Sequence, residues 1–225
     1  MIYLHTADSA EITLQETEIF RYLGYGKTAP DAQIAARIES IKQEAKERLT
    51  PRACYRIVPV AIASDEVHFG SFTVTSKILS KHLADCDRAL LFAATVGADA
   101  DRMLFKYSHT SPVAAVIAQA VCTAAIESWC DVFIKRMKDK LKQENAFLRP
   151  RFSPGYGDVS ITHQKDLFAA LDVPRKIGVS LTEAYLMTPA KSVTAIAGIS
   201  HHDTACAPSG CEICTKREDC TYARG

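Results

Sequence analysis

The chain has 225 residues, 48% hydrophobic and 24% charged, an ordinary globular composition that excludes a disordered chain. Lys plus Arg (27) nearly cancels Asp plus Glu (26), so no global field favours nucleic acid or an anionic membrane. Residues 1–8 show no basic segment leading into an apolar run, and the longest apolar stretch, 113–126, is short for a membrane span and contains Gln119 and Thr123. A cytoplasmic protein without membrane association is expected. In that compartment eight cysteines are not a disulfide framework. Cys54, Cys86, Cys122 and Cys130 sit among apolar neighbours as small core residues, whereas the other four crowd into the last twenty positions.

Residues 30–49 form the cleanest amphipathic helix. Ile34, Ile38, Ile41, Ala45 and Leu49 fall on one stripe, Glu39, Gln43, Lys46 and Glu47 face away, and Lys42 and Glu44 lie on the flanks. Pro30 suits its first turn and Pro51 stops it. Strands are expected over 54–62 and 66–74, a short helix over 77–83, and a buried strand over 88–96, ending at Gly97. Ser111-Pro112 opens a second long helix running to about Gln143, apolar all round in its first half and amphipathic from Cys130 through Phe133, Met137 and Leu141. A loop rich in Pro, Gly and Arg spans 148–161. Thr162 then caps a short helix carrying Leu167, Phe168 and Leu171, and two extended runs flanking Thr188-Pro189-Ala190-Lys191 predict a hairpin over 180–199. Helices and strands mix without strict alternation, so the fold class is α+β, a mixed antiparallel sheet packed with long helices.

Three segments carry chemistry. In Arg151-Phe152-Ser153-Pro154-Gly155-Tyr156-Gly157, the arginine offers a rigid fork of donors for a carboxylate or phosphate. The glycines let backbone approach a ligand, and Tyr156 can stack on a flat ring or donate its hydroxyl. On spacing alone the favoured reading is an ordinary Pro-Gly loop with a surface arginine, because Arg-x-x-x-Gly-Tyr is short and occurs by chance. Glu127 interrupts an apolar helix stretch, and a buried carboxylate there needs a partner; facing a pocket it would meet a ligand ammonium or sulfonium, and otherwise it marks the helix's exit from the core. The third segment is Leu181-Thr182-Glu183-Ala184-Tyr185-Leu186-Met187-Thr188-Pro189-Ala190-Lys191-Ser192-Val193, by itself a hairpin with Pro189 in the turn.

Together the first and third segments resemble the activation domain of cobalamin-dependent methionine synthase, in a free-standing form. The resemblance runs over 87–199, including Thr95-Val96-Gly97 and Ile126-Glu127, and Arg21-Tyr22-Leu23-Gly24-Tyr25 is similar to the start of small members of that family. It implies an S-adenosylmethionine site in which Arg151 holds the carboxylate, Glu127 meets the amino group, backbone near Ser153 and Gly155 contacts the cofactor, and Tyr156 is the motif tyrosine. It implies an activation-type domain over 1–200, with a first α+β portion at 1–86 and a cofactor-binding portion at 87–200. It further implies docking over cob(II)alamin, which is reduced by one electron from a donor such as flavodoxin or ferredoxin and remethylated from S-adenosylmethionine. The chain lacks the Asp-x-His-x-x-Gly corrinoid signature, so cobalamin is expected on a partner protein.

The tail, 201–225, departs from that family. Cys206-x4-Cys211-x2-Cys214-x5-Cys220 places four thiols within fifteen residues, a metal-site pattern that suits a [4Fe–4S] cluster or a zinc ion. The redox need of reactivation favours the cluster; His201 and His202 are read as solvated. Two other readings follow from the tail: an iron–sulfur reductive activator or electron-transfer protein for a corrinoid enzyme, and a zinc-stapled interaction module without catalysis. No nucleophile-elbow or Gly-rich strand-to-helix fingerprint is present, which argues against a hydrolase triad or a Rossmann-type methyltransferase.

Overall fold

A computed structural model describes residues 1–26 and 28–202. In chain order its elements are β1 (Tyr3–Thr6), α1 (Glu16–Tyr22), α2 (Ala32–Arg48), β2 (Arg52–Pro59), β3 (Ala61–Ala63), β4 (Glu66–His68), β5 (Thr73–Thr75) and α3 (Lys77–His82). There follow β6 (Arg88–Thr95), α4 (Ala98–Thr110), α5 (Pro112–Lys142), β7 (Phe147–Leu148), α6 (Gln164–Leu171), α7 (Val173–Ile177), β8 (Ser180–Leu181), β9 (Met187–Thr188) and β10 (Ser192–Ser200). The main sheet has the order β1-β2-β6-β10-β7, with every neighbouring pair antiparallel, so the α+β expectation holds. Strands from before and after residue 87 therefore share one sheet.

The sheet is covered on both faces. Leu90, Phe92 and Ala94 of β6 pack with α2, α4 and α5, while Ala89, Leu91 and Ala93 pack with α3, α6 and α7. Alternate residues of a strand point to opposite faces, so a central strand covered twice must be apolar throughout its interior, which is how β6 reads from Ala89 to Ala94. On one side Trp129 and Phe133 of α5 fill the core, with Trp129 Nε1 donating to the Arg52 carbonyl at 3.1 Å. The small sheet β3-β4-β5 lies with the other layer through Val67 and Val74. By length and composition α5 is apolar enough to cross a membrane, but 61% of its most apolar window is buried inside this fold.

Several sequence expectations change. The α2 cap is Asp31, whose side chain accepts from Ile34 N–H at 2.9 Å, so Pro30 precedes the helix instead of opening it. Lys42 is buried on that helix and pairs with Glu39 at 2.6 Å and Glu16 at 3.3 Å. The expected strand over 66–74 is two strands, β4 and β5, turning at Gly70. Ser160, not Thr162, caps the turn before α6. No element is expected over 98–110, where α4 lies; it buries Ala100 and Met103 and packs Leu104 and Tyr107 partly against the core.

The hairpin over 180–199 is also corrected. Its turn falls at 182–186, between β8 and β9, and the Thr188–Pro189 bond is cis. The second run, β10, pairs instead with β6 through eight residue pairs, Ser192 against Thr95 to Ile199 against Arg88. Ala195, Ala197 and Ile199 pack toward α5 and Ile196 toward α6, and only an inner strand buries both sets.

Gly97 joins β6 to α4 with φ 91° and ψ 170°, a region essentially closed to other residues. A Cβ there would also run into the Thr50 hydroxyl. Gly97→Ala should therefore cost about 2–4 kcal/mol of unfolding free energy, backbone strain and overpacking combined. Urea denaturation of the two proteins measures it, and a loss under about 0.5 kcal/mol, the size of a neutral surface change, would contradict the account.

Candidate functional site

Helix α5 carries the acidic half of the site. Ser111 caps it, accepting from Ala114 N–H at 3.3 Å, Pro112 occupies its first turn, and its alanines and apolar residues bury it against the sheet. Glu127 lies midway, half-buried. The basic half comes from the segment after β7. Arg149 N–H donates to the Gly198 carbonyl at 2.8 Å, and Phe152 exchanges two backbone hydrogen bonds with Ile196, at 2.7 and 2.8 Å. This bridge continues the sheet edge by one pair. Phe152 then faces the α6 layer, where its ring is buried, and its neighbour Arg151 turns to α5.

There Arg151 Nη2 stands 2.5 Å from Glu127 Oε2, with the two side chains 25% and 30% exposed. Burial works against the charge on Arg151, but neighbouring Cys130, Glu127 and Asp131 overcome it and hold the guanidinium above its ordinary value. Burial pushes the Cys130 thiol up to about 12, so at neutral pH that neighbour is uncharged and the carboxylates supply the compensation. The sequence expected these two residues on opposite ends of one ligand. The structure brings them together, each engaged by the other.

The bend beyond them holds its own shape. Tyr156 N–H donates to the Ser153 carbonyl at 3.1 Å, Gly155 N–H to the Val159 carbonyl at 2.9 Å, and Val159 N–H to the Tyr156 carbonyl at 3.2 Å. Gly155 has φ 88°, the left-handed region that favours glycine, and a Cβ on it would also press at 3.0 Å on the end of the exposed Ile161 side chain. Pro154 is buried and Ser153 half-buried, while Tyr156 is 59% exposed and meets Phe152 edge-on at 5.2 Å.

Asp158, which sequence reasoning did not single out, ties the bend to α3. It accepts from the Ser76 hydroxyl and from the N–H groups of Lys77 at 2.9 Å and Ile78 at 3.2 Å. The 82-residue separation left no local signal for this contact. The second motif contributes through its end. The Ser192 hydroxyl bridges Thr95 at 2.9 Å and the Pro189 carbonyl at 2.8 Å, and Thr95 Oγ1 accepts from Gly97 N–H at 3.1 Å. The hairpin leans on α6 through Lys165, whose ammonium lies 4.9 Å from the Tyr185 ring centre.

The chain matches the family described as vitamin B12 dependent methionine synthase, activation domain, over residues 27–206. It belongs to that family. A crystal structure of the MetH reactivation domain bound to AdoHcy shares the fold, with a TM-score of 0.68 at 16% identity, covering 91% of this chain and 80% of that one. No curated protein matches the chain.

The metal expectation falls elsewhere. Cys206, Cys211, Cys214 and Cys220 lie outside the described residues, and among the described residues no cluster of His, Cys, Asp or Glu is placed to hold a metal ion. Cys54, Cys86, Cys122 and Cys130 are all buried.

The Ser76 hydroxyl and the α3 amides hold the Asp158 carboxyl below its ordinary value. A depressed folded-state value means the clamp is intact above the unfolded value, near pH 4, and is lost as pH falls through the folded one. Amide-exchange protection at Lys77 and Ile78 should accordingly drop below about pH 4. In Asp158→Ala it should already be low at pH 7, and full protection of that variant at pH 7 would refute the clamp.

Proposed function

We propose that this protein is a reactivation module that binds S-adenosylmethionine and supports reductive remethylation of cob(II)alamin on a separate cobalamin-dependent methionine synthase or related corrinoid methyltransferase. The observation that carries the reading is the Glu127–Arg151 pair beside the Gly155 bend, in a chain of the activation-domain family. An amino acid zwitterion presents one carboxylate and one ammonium, the two charges this pair can take in exchange for each other. That a protein of the same fold binds AdoHcy supports the same reading.

In this reading Arg151 takes the ligand carboxylate bidentately, Glu127 the ammonium, and backbone near Ser153 and Gly155 the nucleoside, with Tyr156 beside a flat ring. When bound, S-adenosylmethionine supplies the methyl group. The chain contributes position and charge: the two ionic contacts fix the amino acid end, and the bend fixes the rest relative to a docked corrinoid. The corrinoid is a substrate brought by the partner, since the chain has no Asp-x-His-x-x-Gly segment. The electron comes from a donor such as flavodoxin or ferredoxin, and the reaction takes place in the cytoplasm, a reading that the free thiols of Cys54, Cys122 and Cys130 support.

Calorimetry with AdoHcy tests the site. Arg151→Ala should weaken binding by about 2–4 kcal/mol, because it also leaves the Glu127 carboxylate uncompensated. No binding by well-folded wild-type protein would end the reading. Anaerobic reconstitution with a corrinoid methyltransferase, following loss of the cob(II)alamin spectrum with and without S-adenosylmethionine, tests the role.

The spacing Cys206-x4-Cys211-x2-Cys214-x5-Cys220 favours a metal at the tail as well, a [4Fe–4S] cluster before zinc. Anaerobically purified protein should contain about four irons with matching sulfide, lost when the four cysteines are replaced by serine. Zinc without iron would instead select a structural staple, and no metal at all would remove the site.

A further inference from the structure

Lys191 follows Pro189-Ala190 at the start of β10, in a motif whose other residues serve the turn. Its side chain is half-buried, and Nζ donates to Thr123 Oγ1 at 2.8 Å. The Thr123 hydroxyl gives its own proton to the Gln119 carbonyl at 2.7 Å, so its lone pair is what faces the amine. An ammonium has three donors, and this contact satisfies one of them. Among the described residues no carboxylate forms an ion pair with Lys191. Asp101 turns both oxygens to the Ala190 N–H, at 3.0 and 3.1 Å. Cys122, alongside, is pushed up to about 11 by burial and is a neutral thiol at physiological pH. Burial lowers the basicity of Lys191, with Cys122 and Asp101 acting only in the opposite sense. A half-buried cation with one neutral acceptor is an unfinished arrangement, because burying charge is costly until an anion completes it.

The position of that cation gives it a use. Thr123 precedes Glu127 by four residues on α5, and side chains four apart lie on one helix face, their Cβ atoms about 6 Å from each other. Lys191 and Arg151 therefore flank Glu127 along α5, one held by the residue a turn before it and one by Glu127 itself.

We propose that Lys191 is the second cation of the Glu127–Arg151 site and shares with Arg151 the α-carboxylate of the adenosylated amino acid. This rests on the ligand reading given above. It explains how a carboxylate can be attracted to a guanidinium already engaged by Glu127: the incoming anion meets an ammonium that forms no ion pair, Asp101 acting on it only from its place on the Ala190 N–H, and the ligand ammonium then draws Glu127 away from Arg151. Recognition is thus built for the amino acid end of the ligand, since a nucleoside without it would find neither cation useful.

The full-length chain is titrated calorimetrically with AdoHcy and with methylthioadenosine, which keeps the thioether and nucleoside but has no carboxylate. Lys191→Met should weaken AdoHcy about tenfold, the loss of one charge-assisted hydrogen bond, and leave methylthioadenosine within about twofold. Lys191→Arg should restore AdoHcy to within about threefold. Thr123→Val, which removes the anchor of the ammonium and keeps its charge, should fall between wild type and Lys191→Met. Unchanged AdoHcy affinity in Lys191→Met overturns the proposal, and so does a loss that recurs in full for methylthioadenosine, because that pattern marks a structural lysine. If Arg151→Ala loses AdoHcy while Lys191→Met does not, the ligand reading stands and this inference alone falls. If wild-type protein binds no AdoHcy, both fall together.

Discussion

The backbone of Phe152 exchanges both of its hydrogen bonds with Ile196, at 2.7 and 2.8 Å, and the arrangement of the site follows from that pairing. Extended backbone sends neighbouring side chains to opposite faces. Fixing Phe152 against the inner strand β10 therefore puts its ring into the α6 layer and commits Arg151 to the α5 layer, where Glu127 waits midway along the helix. A slip of one residue would bury the guanidinium among Leu167, Phe168 and Leu171 and turn the phenyl ring toward Glu127 on α5. The register cannot slip easily, because β10 is itself locked to β6 along its whole length and both faces of that pair are apolar.

The ion pair this register creates is not a strong source of stability. Both partners are about a quarter exposed, and the attraction between them is offset by the water each gives up and by the side-chain freedom each loses. Its significance lies in exchange. A ligand carrying both charges replaces each half of the pair with a contact of the same kind, so little desolvation is added when it enters. A ligand carrying one charge, or none, must separate the pair and leave one member without a partner, which is the expensive case. Under the proposed function the same two residues would thus reject incomplete ligands more effectively than they stabilise the fold.

The parts of this arrangement legible in the sequence are those written locally. The serine cap and proline of α5, the stripe of α2 and the unbroken apolar run of β6 are short-range patterns, and their elements stand where the patterns put them. The run 193–199 reads equally plainly as a strand, but its partner is β6 and not the run before it. A turn candidate lay in front of it, and nothing local distinguishes an inner strand from half of a hairpin. Arg151, Ser153, Gly155 and Tyr156 were found through a family resemblance rather than through spacing, which by itself is met by many Pro-Gly loops. The contact of Arg151 with Glu127, the clamp of Asp158 on α3 and the seat of Lys191 on Thr123 all join distant segments, 24, 82 and 68 residues apart, and no periodicity encodes them.

The two halves of the site differ in how much freedom they retain, and that difference has a physical reading. At the bend, the amides of Gly155, Tyr156 and Val159 are already satisfied within the loop, Pro154 is buried, and Asp158 holds the far side. Such a segment has lost its conformational entropy on folding, so a nucleoside laid against it has little more to order. At α5, by contrast, the charged groups are paired in a way that a ligand can undo, with a spare ammonium one turn away. Under the proposed function, shape is thus fixed where the ligand would be flat and rigid, and charge is exchangeable where it would be flexible and ionic. A fully rigid site would need Arg151 held open and uncompensated in the free protein, a buried charge this small fold would have to carry at all times. Pairing it with Glu127 removes that cost and keeps both residues available.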